Sequence, residues 1–442
     1  MSIIPSHPST PRAAQSRATA IPTPIPTVPD RPLGSPLGRE RTRVLLLGSG
    51  ELGREIAIEL MRLGVWVCAA DSYADAPAAQ IAHESRVLDM ADPTALDDLI
   101  DDVHPDIIVP EVEAIATSRL VAARDKGVQI VPSSGIAAVC MDRERLRVIA
   151  HEELGLPTTS YRFAESPDEL RAGADEVGYP CVVKPIMSSS GHGQSIMRSP
   201  DDLDAAWTEA QTGRRAATDG RTSRVIVESF VALHDELTVL TVSSSAGVCA
   251  CEPIGQRQDH GDYRESWQPA DINREISLTA RDIAIRAVEG LVDGAHRQGE
   301  TGWGVFGVEL FVLDDGSVLF NEMSPRPHDT GMVTMASQRL SEFALHARAI
   351  LGFPITQDHV RLDIRPDEVA ASHAIVLEGQ GEAVFTHAGR ALSDPGTDLR
   401  IFGKPSVNGH RRMAVSLAIR STAQEARSAA ATVADRLHID VS

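Results

Sequence analysis

The residues with the clearest chemistry stand on a hairpin. In VFGVELFVLDDGSVLFNEMSPRPHD (305–329), Asp315-Gly316 is a two-residue turn signal between two apolar runs. Pairing Asp314 with Ser317 across that turn predicts that Glu309 lies directly opposite Glu322, both side chains on one face and their Cβ atoms about 4.5–5.5 Å apart. Like charges at that spacing repel. A divalent cation converts the repulsion into coordination, and Mg²⁺ favours a few carboxylates plus phosphate oxygens over an all-protein cage. A solvated acidic pair, or one carboxyl kept protonated by the other, is the alternative; the neighbouring Arg326 and Asp329 favour the cation.

Two further features point to anions. Lys184, in YPCVVKPIMSSSGHGQ, ends an apolar strand immediately before a loop of small residues, Ser188 to Gln194. A fixed ammonium beside backbone N–H groups that close over phosphates is what a triphosphate needs, although each feature alone is commonplace on a surface. GSGELG, Gly48 to Gly53, fits G-x-G-x-x-G between a strand and a helix, and Asp71 lies near where the ribose-binding acid of a dinucleotide site would stand. By itself this loop suggests a nicotinamide dehydrogenase. Its physical content is narrower: glycines admit an anion to the backbone and a helix N-terminus attracts one, so a phosphoribosyl group or a plain tight turn satisfies it equally.

The elements that must position these residues fall into several units. At 442 residues, two to four domains are expected. Residues 1–42 hold nine of the 27 prolines and no sustained apolar pattern, which predicts a disordered tail without a targeting helix. From Arg43 the runs RVLLLGSG, ELGREIAIELMRLG and VWVCAAD read as β-α-β, and DIIVPEVEAIAT (106–117) and VQIVPSS (128–134) as later parallel strands of a doubly wound domain. Then come a helix at 142–154, strands at 181–185, 224–228 and 237–242, a helix at 278–295, the hairpin, a helix at 341–352 and a closing Ala-rich helix. The net charge of −20 argues against a broad nucleic-acid or anionic-membrane surface, so any phosphate site must be a local basic cluster. No apolar run approaches the ~18–20 residues that span a bilayer, so no membrane partner is expected. The odd count of five cysteines, with no C-x-x-C, indicates neither a disulfide framework nor zinc and suits a reducing cytoplasm; Cys249 and Cys251 read as core.

The strand lysine, the glycine loop, the Glu-ended strand VIVES and the pair Glu309 and Glu322 resemble the ATP-grasp superfamily, which holds ATP between two subdomains. More narrowly, GSGELG, SYADAPA, PEVEAIAT, KPIMSSSGHGQ, GDYRESWQP, SPRPHDTGMVT and FGKP, spanning 48–405, resemble the formate-dependent phosphoribosylglycinamide formyltransferases. The resemblance implies an α/β fold: a Rossmann-like domain with a doubly wound parallel sheet (43–140), an ATP-grasp domain (148–351, lid about 152–230) and a small C-terminal mixed α/β region (352–442). It also implies a homodimer, and ATP, formate and glycinamide ribonucleotide as substrates. By the same resemblance Arg143, Lys184, Ser189, Ser190, Gly191, His192, Gly193 and Gln194 contact the ATP phosphates. Glu228, Ser229, Phe230 and Val231 line the adenine pocket, Glu236 meets the ribose, and Glu309 and Glu322 hold Mg²⁺. Glu51, Leu52, Glu111, Asp329, Lys404, Arg411 and Arg412 bind the ribonucleotide, and Arg143, Lys184 and Asp329 serve catalysis. The trio Lys404, Arg411 and Arg412 makes independent sense, as a substrate phosphate in so acidic a chain requires a basic cluster.

Two departures from the family pattern stand out: His192 where lysine is expected, and the Pro-rich extension. The implied chemistry is attack of formate on the γ-phosphoryl group, then transfer of the formyl group to the substrate amine. Formate leaves no signature of its own, so its choice over bicarbonate rests on the resemblance. The runner-up is an ATP-grasp carboxylase of aminoimidazole ribonucleotide, against which GDYRESWQP argues. A dehydrogenase built on GSGELG and a non-catalytic nucleotide-binding regulator are the other classes.

Overall fold

The computed structural model describes residues 31–112, 114–187, 193–212, 224–259 and 262–442. Strands β1 (Arg43–Leu47), β2 (Trp66–Asp71), β3 (Glu84–Val87), β4 (Ile107–Pro110) and β5 (Gln129–Ile130) form a parallel sheet in the order β3-β2-β1-β4-β5. The order reverses between β1 and β4, and the crevice at their C-terminal ends is where such sheets bind ligands. Of DIIVPEVEAIAT only the first part is strand; the chain leaves the sheet at Pro110 and resumes as the helix Thr117–Asp125. Residues 31–42, which the proline-rich composition assigns to a disordered tail, lie against this domain. Arg31 pairs with Asp106 at 3.3 Å, and the Thr42 hydroxyl donates to the Pro32 carbonyl at 2.9 Å.

A smaller antiparallel sheet follows, made of β6 (Tyr161–Ala164), β7 (Cys181–Pro185), β8 (Ser195–Met197) and β9 (Val225–Ser229) in the order β6-β9-β7-β8. The helices Pro167–Val177 and Leu203–Thr212 cover its apolar face, with Leu170, Ala174, Ala206 and Ala210 packed on Val183, Val225 and Val227.

The third sheet has nine strands. It comprises β10 (Leu233–Ser244), β11 (Gly247–Ala250), β12 (Ile254–Asp259), β13 (Asp262–Gln268), β14 (Gly304–Leu313), β15 (Val318–Ser324), β16 (Val369–Gly381), β18 (Thr397–Ile401) and β19 (Val407–Arg420), while β17 (Ala383–Thr386) pairs separately with β20 (His438–Val441). The order is β15-β14-β10-β12-β13-β16-β19-β18, so strands from beyond residue 352 continue the sheet that carries the hairpin. The helix Arg274–Arg297 packs Ile283, Ala287 and Leu291 on Val239, Phe306 and Val308. The helix Glu342–Ile350 belongs to two cores: Phe343, Ala347 and Ile350 meet Val44 and Leu46 of the parallel sheet, whereas Leu345 and Ala349 meet Leu240 and Val305. That shared helix fixes the crevice relative to the hairpin.

The hairpin reaches the predicted pairing by another route. Its loop has three residues, Asp314 to Gly316, closed by Gly316 N–H to the Leu313 carbonyl, with Gly316 at φ +82°. Leu313 therefore pairs with Ser317, one step out of the predicted register. A bulge at Asn321 adds one residue to β15 and restores it, so that Glu309 does lie opposite Glu322.

Candidate active site

Lys184 pairs with Ile226 across β7 and β9, which puts its side chain diagonal to Glu228 on one face. The lysine Nζ stands 2.8 Å from Glu228 Oε2. The other carboxylate oxygen takes the Arg147 guanidinium and, at 3.1 Å, the Thr159 hydroxyl. Burial would raise the Glu228 carboxyl, but the Lys184 and Arg147 charges and the Lys184 and Thr159 hydrogen bonds outweigh it and hold it down to about 2. Arg143, at the start of the helix Arg143–Val148, donates to the Pro185 carbonyl at 2.9 Å and brings a second nitrogen to 3.7 Å from Glu322.

Glu309 accepts from His328 Nε2 at 3.1 Å. The Thr330 N–H reaches His328 Nδ1 at 3.4 Å and the Thr330 hydroxyl lies 2.8 Å from the same nitrogen, which holds the ring with Nε2 towards Glu309. Burial works to raise the Glu309 carboxyl; the His328 hydrogen bond and the His328, Lys184 and Arg143 charges prevail and lower it. Glu236 stands diagonal to Glu309 on β10, and its carboxyl is raised, first by burial and then by the Glu309 charge. The donor set fits Mg²⁺: paired carboxylates crowd negative charge into one corner. Among the described residues no group of three His, Cys, Asp or Glu side chains converges, so Glu309 and Glu322 are the two carboxylates that would hold the ion.

Ser229, Phe230 and Val231 leave β9 at its exposed end; the Ser229 and Phe230 N–H groups donate to the Ser160 and Pro180 carbonyls at 2.9 and 3.2 Å. Glu228, which the resemblance assigns to the adenine pocket, turns its side chain inward to Lys184 and Arg147. Gly193 takes a positive φ of 74° and Gln194 reaches the cleft described below. Ser189, Ser190, Gly191 and His192 lie outside the described residues.

At the crevice of the parallel sheet, Gly48 adopts φ +121°, and a Cβ there would come within 2.6 Å of Glu111 Oε2 and 2.9 Å of Val112. Only glycine tolerates both the dihedral and the neighbours. Asp71 accepts from the Ser49 and Ser72 N–H groups, each at 2.7 Å, so it braces the loop, the opposite of a free ribose acceptor. The helix Glu51–Arg62 begins without a side-chain cap. Its first residue, Glu51, meets Lys404 at 2.8 Å and Arg412 at 3.0 Å, and Arg412 also bonds Asp329. Burial opposes ionisation of Glu51 and Asp329; for Glu51 the Lys404 and Arg412 charges prevail, for Asp329 chiefly Arg412, and both carboxyls are lowered. Arg411 donates to the Ser406 carbonyl at 2.7 Å and the Tyr73 hydroxyl at 3.3 Å. Leu52 is buried beneath the loop.

A cleft of about 350 Å³ is lined by Glu111, just past β4, by Arg143, Lys184, Glu236, Glu309 and Glu322, and by Asp329, whose carboxylate bonds Arg412. Three family models match in series: the ribonucleotide synthetase preATP-grasp domain over 42–141, the ATP-grasp domain over 149–343 and PurT, C-terminal, over 370–437. The formate-dependent phosphoribosylglycinamide formyltransferase of Bifidobacterium longum is 70% identical over 398 residues, covering 90% of this chain and 100% of its own. The chain belongs to the formate-dependent phosphoribosylglycinamide formyltransferase family.

Among solved structures, that of glycinamide-RNase-transformylase T from Mycobacterium tuberculosis is similar to this formyltransferase-family chain at 33% identity and a TM-score of 0.71, covering 90% of this chain and 100% of its own. N5-carboxyaminoimidazole ribonucleotide synthetase from Thermotoga maritima reaches a TM-score of 0.75 at 24% identity, over 91% of this chain and 100% of its own, a likeness of fold alone. Sequence reasoning passed over Arg147, His328 and Tyr263. Arg147 shows no motif, and its burial beside Leu146 leaves no local signal, since adjacent helix positions do not share a face. Tyr263, inside GDYRESWQP, lies under Arg412 with the guanidinium 5.4 Å from its ring.

Proposed function

We propose that this chain is the formate-dependent formyltransferase of glycinamide ribonucleotide. The observation that carries the reading is a cleft in which Arg143, Lys184, Glu309 and Glu322 meet Glu111 and Asp329, with Asp329 bonded in turn to Arg412 of the basic cluster beside the glycine loop. Formate attacks the γ-phosphoryl group in line, an oxygen–phosphorus bond forms, and ADP leaves with the electron pair of the broken bond. Lys184 and Arg143 neutralise charge on the phosphate oxygens. When bound by Glu309 and Glu322, Mg²⁺ would supply further charge neutralisation for those oxygens. The ribonucleotide amine then attacks the formyl carbon; a carbon–nitrogen bond forms, phosphate departs and takes up the amine proton.

The other end of the site suits a substrate bearing both a phosphate and an amine. Lys404, Arg411 and Arg412 offer cations, while Glu51 and Asp329 both orient those cations and accept from amine or hydroxyl groups. Closure of the 152–230 region over ATP would exclude the water that hydrolyses a formyl phosphate. The family likeness also supports a homodimer, and with the free cysteines Cys68, Cys140, Cys181, Cys249 and Cys251 a cytoplasmic location. ADP release at pH 7.5 is expected to need formate, glycinamide ribonucleotide and Mg²⁺ together, with a product heavier by one formyl group. Equal turnover with bicarbonate and aminoimidazole ribonucleotide would overturn the reading in favour of the carboxylase.

A further inference from the structure

Arg147 is a buried cation beside Lys184 that the reaction described above does not use. Its side chain is 6% exposed, and it touches three elements. It pairs with Glu228 at the end of β9, it donates to the Asn321 carbonyl at 3.1 Å, and it reaches the Thr159 hydroxyl at 3.5 Å. The Asn321 carbonyl belongs to the bulge that sets Glu322 opposite Glu309. Glu228, in turn, holds Lys184.

The charges matter as much as the contacts. A buried lysine matched to one carboxylate forms a neutral pair with little pull on a phosphate. Here two cations share one carboxylate, so the trio of Arg147, Lys184 and Glu228 carries one excess positive charge, and the lysine charge still acts on the cleft, where it lowers Glu309. The excess exists because Arg147 occupies one oxygen and leaves Lys184 the other. An arginine fork suits this task, as its planar set of donors spans a carboxylate and a carbonyl at fixed angles, whereas an ammonium on a flexible stem does not.

We propose that Arg147 is a positioning residue for phosphoryl transfer: by sharing Glu228 with Lys184 and gripping the Asn321 bulge, it keeps Glu228 from fully neutralising the lysine and fixes the lysine relative to the Glu322 carboxylate. The inference rests on the reading of Lys184 as a triphosphate contact. Thr159 and Tyr161, whose ring lies 5.8 Å from the guanidinium, are uncharged neighbours, while Arg143, which lines the same small cavity, is directed to the Pro185 carbonyl and Glu322 and not to Glu228.

The test compares Arg147→Met, Arg147→Lys and Lys184→Met in the full chain, by calorimetric titration with Mg²⁺-ADP, by kcat and KM for each substrate, and by melting temperature. Arg147→Met is expected to bind ADP about tenfold more weakly, with the KM for glycinamide ribonucleotide unchanged, because that end of the site has its own cations. Arg147→Lys restores the charge without the fork, so ADP affinity returns close to wild type while kcat stays about tenfold low. A structural role alone would lower the melting temperature and the active fraction without separating ATP from the ribonucleotide. Wild-type ADP affinity in folded Arg147→Met, or wild-type kcat in Arg147→Lys, overturns the inference; if Arg147→Met does not fold, Arg147→Lys decides. Undiminished ADP binding in Lys184→Met would instead overturn the reading of the lysine.

Discussion

A carboxylate sealed from water stays ionised only where cations reach it, and Glu228 has two. The consequence is a stability that depends on pH in a known direction. The native carboxyl titrates at about 2 against an ordinary 4.5, so the folded state holds its charge where the unfolded state has already taken up a proton. Stability from this residue is complete above pH 4.5 and declines as pH falls towards 2. Glu228→Gln leaves Arg147 and Lys184 buried without their partner, at a cost of about 3–5 kcal/mol at pH 7. In urea unfolding at pH 7, 5 and 3, wild type and variant should therefore differ most at pH 7 and converge towards acid; a gap independent of pH would show that the charge is not what stabilises. The basic trio obeys the same logic at the other end. Burial lowers the Lys404 pKa and Glu51 only partly offsets it, so the lysine's charge depends on a carboxylate that the sequence places 353 residues away.

At the scale of the element, β15 shows how a strand can keep its core face and still offer an extra carbonyl. Val318 and Phe320 enter the core at a spacing of two, and Met323 follows at three, with Asn321 and Glu322 both on the cleft side. Deleting Asn321 would restore strict alternation and leave Glu309 opposite Glu322, but would remove the carbonyl that Arg147 holds. The variant should unfold cooperatively near the wild-type temperature and turn over about 10²-fold more slowly; turnover within about threefold of wild type would mean that the bulge is incidental. The same strand measures what the sequence could reveal. Turn chemistry and hydrophobic alternation are local, so the hairpin, the parallel sheet and the facing glutamates were legible, and the step from Phe320 to Met323 contained the bulge that offset the misread loop. Arg147 with Asn321, and Glu51 with Lys404, come together only through tertiary packing, which leaves no local period to read. Asp71 was legible as the acid after a glycine loop, yet its partner, the Ser49 N–H, shows it bracing the loop.

For the whole molecule, a −20 net charge coexists with two local cation clusters, one at each end of the candidate site and each oriented by a carboxylate: Lys184 and Arg147 on Glu228, Lys404 and Arg412 on Glu51. Those ends keep their separation through shared packing: one helix, Glu342–Ile350, contributes to the core of the parallel sheet and to that of the nine-stranded sheet. Among the described residues, the segment before β1 meets the parallel-sheet domain through Arg31 and through Arg41, whose guanidinium lies 5.6 Å from the centre of the Trp66 ring. Arg31 donates to the Asp106 carbonyl at 3.2 Å and to Gln129 at 3.4 Å besides pairing with the Asp106 carboxylate, and Asp106 in turn accepts from the Arg43 N–H at 2.8 Å at the start of β1. Residues 1–30 carry no apolar pattern that could bury against the body. Two truncations therefore separate composition from contact. Removal of residues 1–30 should leave the melting temperature and turnover unchanged. Removal of residues 1–40 takes away the Arg31 pair and the Pro32 carbonyl, worth about 1 kcal/mol together, and should lower the melting temperature by about 2–4 °C with turnover preserved, as neither group touches the cleft. Differential scanning calorimetry of the two truncations beside the full chain decides it: equal melting temperatures for both would mean that residues 31–40 add nothing to the domain, and a fall already present on removal of 1–30 would mean that the proline-rich segment packs on the body.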